Sequence, residues 1–332
     1  MLFREANLAC KNCFEKPVFK LISGESLCRS CFLRYFERKV RKTVRIFKLL
    51  GKEERIVVGV SGGKDSLTVL NILHNIAERQ RKWEVIALAI DEGIKGYRNS
   101  CLMDARDFCK TRGITLHVYS FKDEFGYSLD EMVKKLKMKP CSICGVLRRH
   151  LLNTKARELG ATKLATGHNM DDEAQSIIMN QFRRNIETSA RLGPITGVIK
   201  EKKFIRRVKP LYLMTEKEVM AYAFLKGISG RFVECPYAYD SYRGEVRDML
   251  NEFEARHPGT KNSIVQSFLE ILPLLKKHYK TQAKLKFCRV CGEPCSGEIC
   301  KACEILEKLG VTGRKNRKNK RKGSKGKIRK NL

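Results

Sequence analysis

The stretch Ile56-Val-Val-Gly-Val-Ser-Gly-Gly-Lys-Asp-Ser66 decides the fold. It opens with a short apolar run typical of a buried strand and continues into an amphipathic helix, LTVLNILHNIAERQ. A turn at the start of a helix offers free backbone N–H groups to an anion. Two glycines keep the approach open, and two hydroxyl groups and an ammonium group can bind a phosphate. These residues are Ser61, Gly62, Gly63, Lys64 and Ser66.

The loop matches neither of two better-known phosphate-binding patterns. Val58 stands where a Walker loop requires glycine, and Ser61 replaces the second glycine of a dinucleotide fingerprint. A glycine-rich turn without a ligand is the remaining alternative.

Three further apolar runs predict strands at residues 84–90, 114–120 and 162–166. Helical segments separate them, which indicates right-handed crossovers and a mostly parallel sheet. We therefore predict a doubly wound α/β domain, whose ligand lies at the carboxyl ends of the strands.

The segment ATGHNMDDEAQS, residues 165–176, begins where the fourth strand should end. Asp171 and Asp172 open the next helix, where acids commonly do no more than favour the helix dipole. As hard oxygen ligands they also suit Mg²⁺, and Asp65 is a further candidate. His168 at a strand end is more typical of a structural histidine.

The net charge of the chain predicts a polyanionic binding partner. The 332 residues include 68 Lys and Arg against 36 Asp and Glu, a net charge of +32, which favours nucleic acid over a merely solvated basic surface. The segment 313–332 has eleven basic residues in twenty and predicts a disordered tail. The sequence lacks an apolar run long enough for a membrane helix and lacks a signal peptide, so we expect a cytoplasmic protein.

Cysteines at both ends of the chain form paired CxxC motifs that are typical of zinc ribbons. Fourteen residues separate the first two pairs and eight separate the last two, and a redox dithiol or an iron site is the alternative. The predicted ligands of two Zn²⁺ ions are Cys10, Cys13, Cys28 and Cys31, and Cys288, Cys291, Cys300 and Cys303. Cys295 is a spare thiol or a substitute ligand.

The middle of the chain carries a different cysteine set. Cys141 and Cys144 occur in PCSICGVLRR, and Cys235 in ECPY is the obvious distant partner. Three thiolates cannot complete a four-coordinate structural site, but they can hold a 4Fe–4S cluster with one iron open. Persulfide chemistry on one cysteine and three buried free thiols are the alternatives. Cys101 and Cys109 fall within a helical stretch and are expected to be core thiols.

The string SGGKDS resembles the pyrophosphate loop of N-type ATP pyrophosphatases, which adenylate a carbonyl oxygen. With the terminal CxxC pairs, PCSICGVLRR and TGHNMDDEAQS, residues from about 4 to 308 resemble the TtuA-like tRNA 2-thiouridine synthetases. Archaeal and eukaryotic cytosolic wobble-uridine thiolases belong to the same group.

The resemblance implies an ATP-dependent tRNA uridine 2-sulfurtransferase that activates the C2 oxygen and receives sulfur through a 4Fe–4S cluster. It assigns ATP and Mg²⁺ to Ser61, Gly62, Gly63, Lys64, Asp65, Ser66, Ala89, Gly167 and Asp172. It assigns catalysis to Asp172, Arg148 and Lys64, and the cluster to Cys141, Cys144 and Cys235. The resemblance also implies two kinds of partner. One is a ubiquitin-like thiocarboxylate carrier or another sulfide donor, and the other is a second copy of the chain in a homodimer. Some relatives have lysine in place of Arg148, so charge stabilisation is a safer role for it than proton transfer.

The expected domains are an N-terminal zinc ribbon at 1–38, a catalytic domain with a linker helix at 39–283, a second ribbon at 284–308 and a tail at 309–332. Three other functions are compatible with parts of the pattern: a TtcA-type cytidine thiolase, another PP-loop ligase or amidotransferase, and a zinc-ribbon RNA-binding adaptor with a vestigial ATP site.

Overall fold

The computed structural model describes residues 9–198, 201, 203–228, 234–238, 241–282 and 286–311. Its strands are β1 (Phe19–Lys20), β2 (Ser26–Leu27), β3 (Glu54–Gly59), β4 (Trp83–Asp91), β5 (Leu116–Ser120), β6 (Lys163–Ala165), β7 (Arg206–Val208), β8 (Lys286–Phe287) and β9 (Pro294–Cys295). Its helices are α1 (Arg29–Ile46), α2 (Lys64–Gln80), α3 (Arg98–Thr111), α4 (Phe121–Phe125), α5 (Leu129–Leu136), α6 (Pro140–Glu158), α7 (Met170–Phe182), α8 (Ile186–Ala190), α9 (Glu216–Leu225), α10 (Tyr242–Arg256), α11 (Thr260–Gln282) and α12 (Lys301–Lys308).

Strands β3 to β7 form one parallel sheet in the order β5-β4-β3-β6-β7. The chain winds outward from β3 to β5 and then returns to add β6 and β7 on the other side. The predicted doubly wound α/β fold is therefore confirmed. The four predicted strands correspond to β3, β4, β5 and β6. Strand β7 escapes sequence prediction because two of its three residues are arginines.

Successive side chains of the central strand β3 point to opposite faces of the sheet, and each face carries a hydrophobic core. Ile56 and Val58 pack with residues of α1, α2, α3 and α9, whereas Val57 packs with residues of α4, α5, α6 and α12. The apolar residues of α7, α10 and α11 form a third core beside the carboxyl edge. Because both faces of the sheet are covered, its carboxyl edge is where a ligand can approach β3.

Helix α1 begins inside the first cysteine cluster, runs through the predicted domain boundary at residue 38 and ends at Ile46. Its last turn closes at Lys48, which adopts a left-handed conformation with φ of 48°. The ammonium group of Lys39 binds Glu218 of α9 at 2.8 Å, which fixes α1 against α9.

Helix α12 docks the second cysteine cluster onto α6. Ile305 and Leu306 are buried against α6, and Leu309 just beyond the helix is buried with them. Arg157 of α6 also pairs with Glu293 near β9. The predicted basic tail lies, from residue 312 onward, outside the described residues. In the described part of the chain, helices are too short or too polar to cross a membrane.

Candidate active site

The phosphate loop joins β3 to α2 and is braced by its own hydroxyl groups. The backbone N–H of Ser61 donates to Ser66 Oγ at 3.1 Å, and the Ser66 hydroxyl donates to the carbonyl oxygen of Gly63 at 3.0 Å. Gly63 precedes α2 without a side-chain cap. The first N–H groups of this helix therefore face the loop without a capping side chain, as an anion site requires.

Two glycines allow the backbone segments of the site to touch. Gly62 has a φ of +90°, and a Cβ atom there would lie 2.0 Å from the carbonyl oxygen of Cys101. A Cβ atom on Gly167 would lie 2.8 Å from the backbone between Asp65 and Ser66. The structure thus brings the segment after β6 directly against the phosphate loop, and both positions require glycine.

Lys64 is held between two carboxylates. Its Nζ lies 3.0 Å from Asp65 Oδ2 and 3.0 Å from Glu216 Oε1. Burial acts to lower the pKa of Lys64, but these two acids raise it overall. Lys64 is therefore a permanent positive charge at the start of α2.

The two acids that open α7 have different surroundings. Asp171 is buried, accepts a hydrogen bond from Lys261 Nζ at 2.6 Å, and accepts another from the N–H of Glu216 at 2.8 Å. Both of its oxygens are thus used inside the protein. Asp172 stays a third exposed and forms a capping box with Asn169, whose amide also donates to Asp65 Oδ1 at 3.0 Å. Asn169 therefore holds Asp65 and Asp172, the two carboxylates suited to Mg²⁺, at one place.

Burial raises the pKa of Asp172 to about 6, although Arg243, 3.8 Å away, acts to lower it. The unfolded chain ionises this carboxyl near pH 4, so folding becomes less favourable as pH rises from about 4 to 6. Without nucleotide and Mg²⁺, Asp172→Asn should raise the free energy of unfolding at pH 7 by about 1 kcal/mol, after allowance for solvent screening. Urea unfolding at pH 3.5 and pH 7 checks this. A gain that is equal at both pH values would contradict it.

The three central cysteines come together from two distant segments. Cys141 and Cys144 lie in the first turns of α6, and the Cys141 thiol donates to the carbonyl oxygen of Tyr237 at 3.4 Å, two residues beyond Cys235. Burial raises the pKa of Cys144 to about 11, while Arg148 lowers it and the other two thiols raise it. Cys141 is exposed and the other two are half-buried, so the set is accessible.

The distances between sulfur atoms distinguish the three central cysteines from the terminal ones. In each terminal tetrad the four sulfur atoms lie within 4.8 Å of one another, and among the described residues only these two groups are so close. Cys13 and Cys31 Sγ are 3.7 Å apart, which matches the about 3.8 Å expected for tetrahedral Zn–S bonds. The central trio is wider and has one ligand too few for structural zinc. This donor set fits a larger cluster with one open iron.

A buried carboxylate connects the phosphate loop to the cysteines. Glu92, just after β4, is 4 % exposed and pairs with Arg98 Nε at 2.8 Å and Arg148 Nη1 at 3.4 Å. Arg98 also donates to the carbonyl oxygen of Ser61 at 2.6 Å. Arg148 therefore lies beside Cys144 and is linked through Glu92 and Arg98 to the loop. Sequence reasoning missed Glu92 and Arg98, although an acid directly after a parallel strand is a usable signal.

The other residues singled out by sequence lie nearby or in the core. His168 hydrogen bonds to Thr166 Oγ1 at 3.0 Å, and desolvation followed by Lys209 and three arginines lowers its pKa to about 3, so it is neutral. Ala89 is fully buried in β4, where its side chain packs in the core. Cys101 and Cys109 are buried in α3, as expected. The Cys295 thiol donates to the carbonyl oxygen of Gly297 at 3.0 Å and lies outside the tetrad.

The loop is lined by serine and glycine, follows the central strand of a parallel sheet and precedes an uncapped helix. These features are typical of nucleotide-binding α/β domains. A family model described as a PP-loop domain matches residues 34–248. The tRNA-5-methyluridine(54) 2-sulfurtransferase of Pyrococcus horikoshii is 38 % identical over 90 % of this chain and 93 % of its own length. The tRNA 2-thiolation protein NcsA of Haloferax volcanii is 35 % identical over 91 % and 99 %.

Among solved structures, the chain is similar to the U34-tRNA thiolase NcsA from Methanococcus maripaludis with its [4Fe-4S] cluster. The TM-score is 0.80 at 35 % identity, with 92 % of this chain and 98 % of that chain covered. The chain belongs to the tRNA 2-thiolation family of PP-loop proteins. The family resemblance found in the sequence is thus confirmed.

Proposed function

We propose that this chain is an ATP-dependent tRNA uridine 2-sulfurtransferase. The observation that carries the proposal is the single centre formed by the phosphate loop and the three central cysteines, joined by Glu92 through two arginines. The phosphate loop can activate an oxygen, and the thiols can handle sulfur. A reaction that replaces oxygen by sulfur needs both groups at one site. The names of its relatives, which are tRNA thiolases and sulfurtransferases, support this function.

The first step would activate uridine. The C2 oxygen attacks the α-phosphorus of ATP, the uridine loses its N3 proton, and pyrophosphate leaves. The N–H groups at the start of α2 and the hydroxyls of Ser61 and Ser66 would hold the phosphates, and Lys64 would neutralise their charge. Asp65 and Asp172 would supply carboxylates for Mg²⁺. Where Asp65 alone holds the ion, Asp172 would instead accept the N3 proton, for which its pKa of about 6 in the metal-free site is suitable.

The second step would replace the activated oxygen. HS⁻ adds at C2, and AMP leaves with the original C2 oxygen. Neighbouring Cys144 and Glu92 raise the pKa of Arg148 against the effect of burial, so Arg148 keeps its charge. It therefore suits stabilisation of the developing negative charge rather than proton transfer.

Cys141, Cys144 and Cys235 would hold a 4Fe–4S cluster, and the two terminal tetrads would each hold Zn²⁺. When bound, a cluster with three protein ligands supplies one iron position that is open to sulfide. We include in the proposal a ubiquitin-like thiocarboxylate carrier or another sulfide donor, a homodimer and a cytoplasmic location. The domain boundaries at residues 38, 283 and 308 are also part of it.

The proposal is tested by nucleoside mass spectrometry of tRNA from a strain that lacks this gene. A 2-thiouridine derivative should disappear from one tRNA position, and the wild-type gene should restore it fully. The Lys64→Ala gene should restore none, because the activation step is lost. The position affected would also show whether the target is uridine 54 or uridine 34, the two sites named for relatives. Unchanged 2-thiouridine in the deletion strain would contradict the proposal.

A further inference from the structure

Beside the cysteine centre, three guanidinium groups gather where α6 meets β7. Arg207 Nη2 donates to the backbone carbonyl oxygen of Arg149 at 3.2 Å. Arg149 lies over Gly145, where an added Cβ atom would be 3.2 Å from its Nη1. Glycine at this position therefore gives the Arg149 side chain room to lie against α6. Arg148 is the third member of the group.

The charges of this group are only partly balanced. Arg148 is paired with Glu92, but no carboxylate of the described residues forms an ion pair with Arg149 or Arg207. Burial first, and then the repulsion of Arg149 and Arg148, lowers the pKa of Arg207 to about 10. Partial desolvation and Arg148 likewise lower the pKa of Arg149, although its side chain is exposed. Two positive charges are thus held together without a carboxylate partner among the described residues, an arrangement that an anion would stabilise.

The pair is accessible from solvent, because the Arg149 side chain is exposed and that of Arg207 is half-buried. Strand β7 is the last parallel strand of the sheet, two strand spacings or about 10 Å from β3 and its phosphate loop, and residues 194–196 pair with its outer side. Neutral His168 lies between β7 and the loop, and the charges of Arg148 and Arg207 both contribute to its lowered pKa. The ATP phosphates have their own binding groups in the loop. The arginine pair is therefore available to a second anion.

We propose that Arg149 and Arg207 bind a phosphodiester of the tRNA strand next to the target uridine. The planar guanidinium group matches the two oxygens of a phosphate, and two such groups at one place would fix the strand beside the cysteine centre. This inference rests on the proposed function and deepens it. The terminal carboxylate of a peptide-like sulfur carrier is the competing anion, but the net charge of +32 and the exposure of Arg149 favour RNA.

The test measures tRNA binding rather than thiolation. Equilibrium binding of tRNA to the metal-loaded protein at several salt concentrations compares Arg149→Gln and Arg207→Gln with the matched control Arg206→Gln. Arg206 is the exposed neighbour on the same strand, and its side chain alternates to the other side of β7. Each test variant should bind tRNA roughly tenfold more weakly, as expected for loss of charge-assisted hydrogen bonds. The slope of log affinity against log salt should fall by about 0.7 to 0.9, one phosphate contact.

Thermal stability, ATP affinity and iron content are the remaining measurements. Because mutual repulsion is relieved, the thermal midpoints of Arg149→Gln and Arg207→Gln should not fall, and ATP affinity and iron content should stay at the wild-type level. Binding and salt slopes equal to those of Arg206→Gln would overturn the proposal. So would loss of ATP affinity or iron, or a defect seen only when a carrier replaces inorganic sulfide as donor. A wild-type protein that binds tRNA with these slopes but never thiolates it would refute the proposed function alone.

Discussion

Replacement of any one of Cys141, Cys144 and Cys235 by serine is expected to abolish tRNA thiolation and to remove most of the iron. Anaerobically reconstituted wild-type protein should contain about four irons in addition to two zincs. The zinc should remain in all three variants, because the terminal tetrads are separate sites with their own four sulfurs. Metal analysis beside a thiolation assay measures both effects. Cys295→Ser is the matched control, since its thiol lies outside both groups, and it should keep iron and activity.

A persulfide mechanism gives a different outcome in the same experiment. Full activity would survive in protein without iron, and loss of one cysteine would trap sulfur on another. Such a result would exclude the cluster but leave the sulfurtransferase function intact. The exposed position of Cys141 makes it the first thiol to examine for trapped sulfur.

The second large effect is expected at the phosphate loop. Lys64→Ala should lower the tRNA-dependent formation of AMP and pyrophosphate by about a hundred- to a thousandfold, because a charge opposite the phosphates is removed from a preorganised site. The fold should persist, since Lys64 makes its ion pairs with Asp65 and Glu216 at the start of α2 and not within a hydrophobic core. Labelled ATP and product chromatography measure the reaction.

Glu216→Gln separates the charge of Lys64 from the network around it. This variant removes one partner of Lys64 but keeps the ammonium group, so AMP formation should fall far less than in Lys64→Ala. Release of ADP and phosphate by the wild-type protein would contradict the assignment of the loop to pyrophosphate chemistry.

The features that sequence predicts correctly are those encoded locally. SGGKDS contains its own turn, its own donors and the start of its own helix, so neighbouring residues suffice to place the phosphate loop. The CxxC spacing places the sulfurs of each terminal tetrad close together in the same way. The alternation of Ile56, Val57 and Val58 is sufficient to predict a strand buried on both faces.

Features that depend on distant contacts are not accessible to this reasoning. Asp171 looks as suitable for Mg²⁺ as Asp172 until Lys261, far along the chain, is seen to occupy one of its oxygens. The position of Glu92 directly after β4 hints at a role, but its burial with Arg98 between the phosphate loop and Arg148 depends on distant contacts. Arg207 belongs to a strand too short and too polar to predict, so its meeting with Arg149 emerges only in three dimensions.

The central claim is that the C2 oxygen of a tRNA uridine is adenylated before sulfur replaces it. The most direct measurement uses tRNA with ¹⁸O at C2 of uridine, together with unlabelled ATP, inorganic sulfide and the anaerobic protein. Each 2-thiouridine formed should be matched by one AMP that carries ¹⁸O in its phosphate. Recovery of the label in inorganic phosphate or water, with unlabelled AMP, would contradict it.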